Sequence, residues 1–278
     1  TRSLATGVHM SGVYAGAALG GIGGVMAVHL GWRASFFVFG GVGIAYAVVL
    51  VALLRDTDAA RTAGDAQPRD SEPINLFGAL KSLLAMPSYT VLLLHVSLLA
   101  LAFWGINGWL PTYLKEHFSM GQGAAGMSAT GYIQAASFAG IVAGGLWADR
   151  WSRTNRRGRI LVPMIGFLAA APALFMATST SVFVLAIAGL IVFGVARGFS
   201  DANMMPILCQ VADARYRATG YGFMNFCSCL VGGIMIYAGG ELKDRQISLG
   251  LTFQCAAVGL FIAALLLLLI RPRREAEV

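Results

Sequence analysis

The feature that leaves this chain the least freedom is the spacing of its charges. No Lys, Arg, Asp or Glu lies between Arg2 and Arg33, nor within Ala34–Leu54, Ser82–Leu114, Phe118–Ala148, Ile160–Ala196, Ala218–Gly240 or Gln246–Ile270. A hydrocarbon layer about 30 Å thick is crossed by about 20 apolar residues in helical form. Six of these runs suit one span each. Ile160–Ala196 is 37 residues long and is divided by the polar Thr178–Ser181, so it suits two. Backbone N–H and C=O groups cannot go without partners in lipid, which leaves helices as the form for runs of this length. The pattern predicts an all-α integral membrane protein with eight transmembrane helices.

Composition narrows the function. The chain is 57% hydrophobic and 12% charged, with a net charge of +7. The basic residues sit between the apolar runs and form no basic patch interleaved with aromatics, so no nucleic-acid partner is expected. Three of the four cysteines, Cys227, Cys229 and Cys255, fall in apolar runs, and Cys209 lies near one. They are expected to be small buried hydrophobes, and no metal is expected, because Cys227-x-Cys229 lacks partners at ligand spacing. No signal peptide is visible, and the absence of an initial Met suggests a piece of a longer protein.

Charge placement sets orientation. With the loop after the second span taken as cytoplasmic, 15 of the 20 Lys and Arg fall inside, 4 fall outside, and Arg197 alone falls within a span. The bias is that of the positive-inside rule. The densest basic segment, Asp149–Arg159 (DRWSRTNRRGR), then pins the turn between spans four and five to the cytoplasm, and the C-terminus is cytoplasmic too. The expected location is the cell inner (plasma) membrane.

An internal repeat organises the chain. Arg2-Ser-Leu-Ala-Thr-Gly7 returns as Arg215-Tyr-Arg-Ala-Thr-Gly220, at an offset of 213. Residues 55–75 alternate acidic and basic side chains with two prolines and read as a linker. Two spans precede the linker and six follow it. If both halves carry six, about 125 further residues with four spans belong upstream. The expected organisation is 1–54, the last two helices of an N-terminal bundle; 55–81, a cytoplasmic linker; 82–272, a complete six-helix C-terminal bundle; and 273–278, a cytoplasmic tail. Gly12, Gly16, Gly20 and Gly24 share one helix face, a spacing that lets membrane helices approach closely. A nucleotide-binding reading of Gly20–Gly24 lacks the preceding strand and the following acidic residue.

Three motifs carry a family resemblance across nearly all of residues 1–272. Gly145-Leu-Trp-Ala-Asp149-Arg150-x-x-Arg153, Gly31-Trp32-Arg33-x-x-Phe36 and Arg215-x-Arg217-Ala-Thr-Gly220 resemble segments of the major facilitator superfamily. The spans then correspond to helices 5–12 of that fold, a partial major-facilitator fold. Ser152 stands where the loop motif commonly has glycine. Trp109-Leu-Pro111-Thr-Tyr113-Leu is similar to the anion:cation symporter branch, although an interfacial aromatic belt with a helix-ending proline would also read this way. That branch moves organic anions such as sugar acids, usually with protons. The resemblance also implies that Asp149, Arg150 and Arg153 act in gating. When the cytoplasmic side is closed, Asp149 would cap the first turn of the helix starting near Arg215–Gly220, and the arginines would fork onto carboxylates or backbone carbonyls; the latch would break as the protein opens inward.

An ionisable side chain inside a span costs about 2.5–3.5 kcal/mol on insertion scales. Arg197 and Asp201 are four apart on one helix face. Either they pair with each other, or Arg197 faces a cavity and binds a carboxylate while Asp201 takes part in coupling. Polar residues recur on the helices that surround the substrate path in the resembled fold. They are Asn225, Ser228 and Tyr221; His95, Trp104 and Asn107; and Tyr132 and Gln134. His9 is a further candidate. The expected function is therefore secondary active transport: symport of a small organic anion, a hexuronate or aldonate, by a monomer embedded in the lipid bilayer. It needs no cofactor beyond a proton or sodium gradient. A drug/proton antiporter or a neutral sugar transporter of the same fold is the alternative. An intramembrane enzyme is disfavoured, since there is no HExxH or GxSxG and Gly126-Met-Ser128 lacks the following glycine.

The orientation is open to a direct check. In a background without the native cysteines, Thr154→Cys should stay unlabelled by a membrane-impermeant thiol reagent in right-side-out vesicles. Ready labelling would invert the topology.

Overall fold

A computed structural model of the protein describes residues 12–53 and 75–272; the Arg2–Gly7 arm of the repeat, His9, the linker residues 54–74 and the tail 273–278 lie outside the described residues. The described residues form helices α1 (Gly12–Leu30), α2 (Trp32–Leu53), α3 (Leu76–Leu84), α4 (Pro87–His117), α5 (Gln122–Ser152), α6 (Gly158–Ser179), α7 (Phe183–Val211), α8 (Arg217–Asp244) and α9 (Leu249–Leu266). Two single-turn 3₁₀ segments, Ala214–Tyr216 and Leu267–Leu269, complete the regular structure, and no strand occurs among the described residues.

Seven of these helices are long and apolar enough to cross a membrane. α5, with 31 residues, is the run that does not qualify, because glycine, alanine, serine and Gln134 dilute its hydropathy. The expected count of eight is thus closely approached but not reached on hydropathy. One boundary differs. The linker expected to extend to Lys81 gives way at Leu76 to α3, which buries Ala79 and Leu83. Its first turn is capped by the Asn75 side chain, which accepts from the Phe77 N–H at 3.1 Å. The charge of Lys81 drew the boundary too late, since an amphipathic helix tolerates one exposed lysine.

Helix ends follow local chemistry. Gly31 has φ +83°, a conformation open to glycine, and separates α1 from α2. Pro87 occupies the first turn of α4, where its missing N–H removes no bond. The Ser248 hydroxyl caps α9 by accepting from the Leu251 N–H.

The centre of the bundle is a seam between α5 and α7. Gly140 and Gly144 on α5 face Gly194 and Gly198 on α7, both pairs at the four-residue spacing of membrane helix contacts. A Cβ added at Gly198 would stand 2.6 Å from the Ile141 nitrogen, and one at Gly144 would stand 2.7 Å from Phe199 Cα. These helices therefore touch through their backbones. By contrast, Gly12 and Gly16 of the expected α1 stripe meet nothing within 4 Å. The close approach of α1 to α5 runs through Gly21 and Gly24, with Thr130 Oγ1 donating to the Ala18 carbonyl at 3.4 Å.

Around this seam a core of Ile106, Ile133, Phe167, Phe193, Phe253 and Leu260 joins α4, α5, α6, α7 and α9. α8 lies against α4 by knob-and-hole contacts. The Trp104 ring covers Gly232, and Trp109 covers Gly239 while donating its indole N–H to the Ile236 carbonyl at 3.0 Å. Glu116 and Lys243 join the same two helices at the far end. α2 buries no residue, and it exposes Phe36 at 73%, Phe37 at 78% and Val51 at 84%. Apolar surface of this extent suits lipid or further helices rather than water. The cysteines, expected to be buried, are not: Cys209 and Cys227 are half-buried, and Cys229 and Cys255 are exposed.

The α5–α7 seam predicts opposite outcomes for two alanine substitutions. Gly131→Ala, where nothing lies within 4 Å, should be neutral or stabilising by up to about 1 kcal/mol through helix propensity. Gly198→Ala should destabilise by about 1–3 kcal/mol or more through overpacking. Thermal unfolding in detergent, followed by size-exclusion chromatography, reads both.

Candidate functional site

A cavity of about 260 Å³ opens between α4, α7 and α8. Its α4 wall is apolar and aromatic: Val96, Leu99, Ala100, Phe103 and Trp104. α7 contributes Arg197, Asp201 and Met204, and α8 contributes Tyr221, Met224, Asn225, Ser228 and Cys229. The α8 residues recur at helical spacing, which brings Tyr221, Asn225 and Ser228 to one face. Among the lining residues, Arg197 is the basic one and Asp201 the acidic one.

The charged pair belongs to a larger set. Arg197 Nε lies 3.4 Å from Asp201 Oδ2, and its Nη1 donates to Gln134 Oε1 on α5 at 3.5 Å. Both distances are long for charge-assisted bonds, which centre on about 2.7–2.9 Å. The Arg197 guanidinium lies over the Phe103 ring, 3.6 Å from Cζ to the centroid, a close cation–π contact. Tyr14 on α1 donates its hydroxyl to Asp201 Oδ2 at 2.5 Å. Its ring lies 5.7 Å from the guanidinium. Asp201 is thus held more tightly by Tyr14 than by Arg197. Tyr14 and Gln134 also line a neighbouring cavity of about 340 Å³, so the hydrogen-bonded set runs from one cavity to the other.

This geometry joins two readings that the sequence left open: Arg197 pairs with Asp201 and also faces the cavity. Asn225 and Ser228 line the same space, and Gln134 reaches it through Arg197. Three candidates stand elsewhere. His95 is 1% exposed, with Nδ1 2.8 Å from the Ala263 carbonyl oxygen and its ring tilted against Phe167, so it is a core residue between α4 and α9. Asn107 donates to the Phe103 carbonyl within its own helix at 2.8 Å. Tyr132 is 45% exposed and lines neither cavity. Polar residue type placed all three in the candidate set, but helix rotation directs them away from the cavity. Tyr14 and Phe103 were not identified. A lone tyrosine or phenylalanine in an apolar run carries no sequence signal that it meets a charged pair on another helix.

The basic segment contacts helix ends. Asp149, in the last turn of α5, accepts from Arg159, in the first turn of α6, at 2.9 Å, and among the described residues no side chain caps the first turn of α8 in this structure. The arginines do fork onto backbone carbonyls. Arg157 donates to Leu268 O at 2.6 Å and to Ile270 O at 3.2 Å, at the end of α9. Arg217 donates to Cys209 O and Ala212 O at the end of α7. Cations at helix C-termini satisfy orphan carbonyls and complement the dipole. The start of α8 is instead held by Tyr89, whose hydroxyl donates to the Gly220 carbonyl at 3.0 Å. Arg150 and Arg153 are exposed.

Comparison with known proteins gives the same architecture. The family described as the Major Facilitator Superfamily matches residues 1–236. Two solved structures of a bacterial homolog to the human lysosomal transporter Spinster are similar. The inward-facing, occupied form aligns with TM-score 0.67 at 18% identity, covering 97% of this chain and 70% of that one. The inward-facing, unoccupied form aligns with TM-score 0.63 at 16% identity, covering 97% and 69%. At these identities the likeness is one of fold. No curated protein matches the chain.

Two exposed thiols lie in different surroundings. Cys229 lines the cavity with Arg197, whereas Cys255 lies in an apolar groove formed with Leu98, Leu101, Met235 and Leu251. A charged thiol reagent applied to proteoliposomes should modify Cys229 and spare Cys255, as read by peptide mass spectrometry. An unmodified Cys229 would place the cavity outside the water-accessible path.

Proposed function

This chain belongs to the Major Facilitator Superfamily, and we propose that it moves small organic anions, sugar acids such as hexuronates or aldonates, in symport with protons. As a member of that superfamily it is a multi-pass membrane transporter and not an enzyme. The observation that carries the substrate reading is Arg197: the one cationic side chain among the described residues lining the cavity, at mid-helix in α7, over the ring of Phe103. A planar guanidinium offers two parallel donors to a carboxylate, which lysine cannot. Asn225, Ser228 and Tyr221 supply donors and acceptors for hydroxyl groups on the opposite wall. Asp201 is the coupling carboxylate of this reading, and the exposed Arg150 and Arg153, with the Asp149–Arg159 pair, are its gating elements at the basic end. The protein works as a monomer in the inner membrane, with its C-terminus in the cytoplasm.

A drug/proton antiporter is the second reading. It is favoured by the apolar α4 wall and by Asp201, whose charge offsets that of Arg197. A neutral sugar transporter would use the same α8 polar face.

Uptake of labelled glucuronate and gluconate separates these readings. Arg197→Lys keeps the charge but loses the fork, so uptake should fall about ten- to a hundredfold, the worth of one charge-assisted hydrogen bond. Arg197→Ala should abolish it. Normal uptake by the Arg197→Ala/Asp201→Asn double variant would show that the arginine only neutralises a buried aspartate, and the antiporter reading would replace the symporter.

A further inference from the structure

We propose that α3 is a membrane-surface helix whose Phe77 and Leu84 enter the lipid headgroup boundary at the basic end of the bundle, and that this lipid contact holds the first turn of α8 in place. The inference does not depend on the substrate and stands apart from the organic-anion reading above.

The residue order of α3 divides it lengthwise. Ala79 and Leu83 are buried and Leu80 is half-buried, whereas Leu76, Phe77 and Leu84 are exposed at 61%, 82% and 43%. At about 3.6 residues per turn these positions form one apolar arc, from Ala79 and Leu83 through Leu76 and Leu80 to Leu84 and Phe77. Gly78, Lys81 and Ser82 occupy the remaining arc. One part of the apolar face thus rests on protein and the other is uncovered. The flanking sequence offers little to cover it. Residues 55–75 are charged and polar, with Ile74 their largest apolar side chain, and the end of the chain, RPRREAEV, is charged as well.

Position makes lipid the occupant. Only the turn at Ala85 and Met86 separates α3 from Pro87, where the α4 span begins, and Thr90 Oγ1 donates to the Leu84 carbonyl across that turn at 2.9 Å. Ser88 donates to the Arg271 carbonyl at 3.2 Å, which sets this corner at the basic end, beside the chain leaving α9. An uncovered apolar face at the level where a span begins meets the headgroup–acyl boundary, into which such faces sink about 5–10 Å. Lys81, on the adjoining arc, reaches from there to lipid phosphates. The docked side of α3 leads to the transport cavity. A Cβ added at Gly220 would stand 3.5 Å from Leu83 Cδ1 and 3.3 Å from Tyr89 Cε2, and the Tyr89 hydroxyl donates to the Gly220 carbonyl at 3.0 Å. The next residue, Tyr221, lines the cavity. Lipid contact at Phe77 therefore bears, through Leu83, on the turn that carries Tyr221.

Spin labels test the surface contact. In the full-length protein without its native cysteines, Phe77→Cys, Lys81→Cys and Leu84→Cys each carry a nitroxide label in vesicles of phosphatidylethanolamine and phosphatidylglycerol. Collisions with oxygen should exceed those with a water-soluble nickel complex at positions 77 and 84, and the order should reverse at position 81. Labels at 77 and 84 that favour nickel place the face in water and overturn the proposal. Labels there that are shielded from both reagents place the face under another part of the protein and overturn it too. Amide hydrogen exchange in the same vesicles tests the hold on α8. Phe77→Ser should speed exchange within Arg217–Met224 about threefold or more, as a loosened turn does, and Phe77→Leu should leave it unchanged. Exchange indifferent to Phe77→Ser overturns the transmission to α8. The labels decide the surface contact even if Phe77→Ser does not fold. Both measurements are made without substrate, so neither result bears on the organic-anion reading.

Discussion

The backbone contact between α5 and α7 is the constraint on which the rest of the structure depends. Helices in lipid gain little from burying apolar side chains, because lipid tails are equally apolar, so close packing must supply the cohesion. Gly140, Gly144, Gly194 and Gly198 bring two long helices together without intervening side chains. The same approach sets Gln134 of α5 within reach of Arg197 of α7. A wider seam would leave the arginine without its neutral partner in mid-membrane, where an unpaired polar group is costly. The site thus depends on glycines that never touch it.

Polar chemistry in this bundle is arranged by partnership rather than by position alone. Within the membrane span, Arg197 shares its charge with Asp201, its edge with Gln134 and its face with Phe103. At the basic end, Arg157 and Arg217 go to the terminal carbonyls of α9 and α7, and Arg159 goes to Asp149. Positive charge in the loop accordingly has two physical uses. It biases topology, which any Lys or Arg would do. It also closes helix C-termini, for which the forked donors of arginine are better suited. A structural part of the loop's basicity is thereby accounted for by these helix-end contacts.

The cavity is two-sided in the same sense. α4 presents Val96, Leu99, Phe103 and Trp104, whereas α8 presents Tyr221, Asn225 and Ser228. α8 can afford that polar face because its attachment to α4 lies further along, where Trp104 and Trp109 seat on Gly232 and Gly239. Attachment and ligand-facing chemistry are separated along one helix.

Charge-free runs of spanning length, a split at Thr178–Ser181 and the basic loop were enough, read as sequence, to specify an all-helical membrane fold; the family came from motif resemblance. These are one-dimensional properties, governed by bilayer thickness and by the cost of placing charge in lipid. Arg197 and Asp201 were legible for the same reason, since a charge in an apolar run announces itself. Asn225 and Ser228 were legible because a polar stripe at helical spacing must face something other than lipid. Tertiary structure decided what depends on helix rotation and on neighbours distant in sequence. It buried His95 against Ala263, turned Asn107 and Tyr132 away from the cavity, and gave Asp149 to Arg159. It also brought Tyr14 onto Asp201 across 187 residues of chain. Residue type and spacing determine which face of a helix is polar; only packing determines what that face meets.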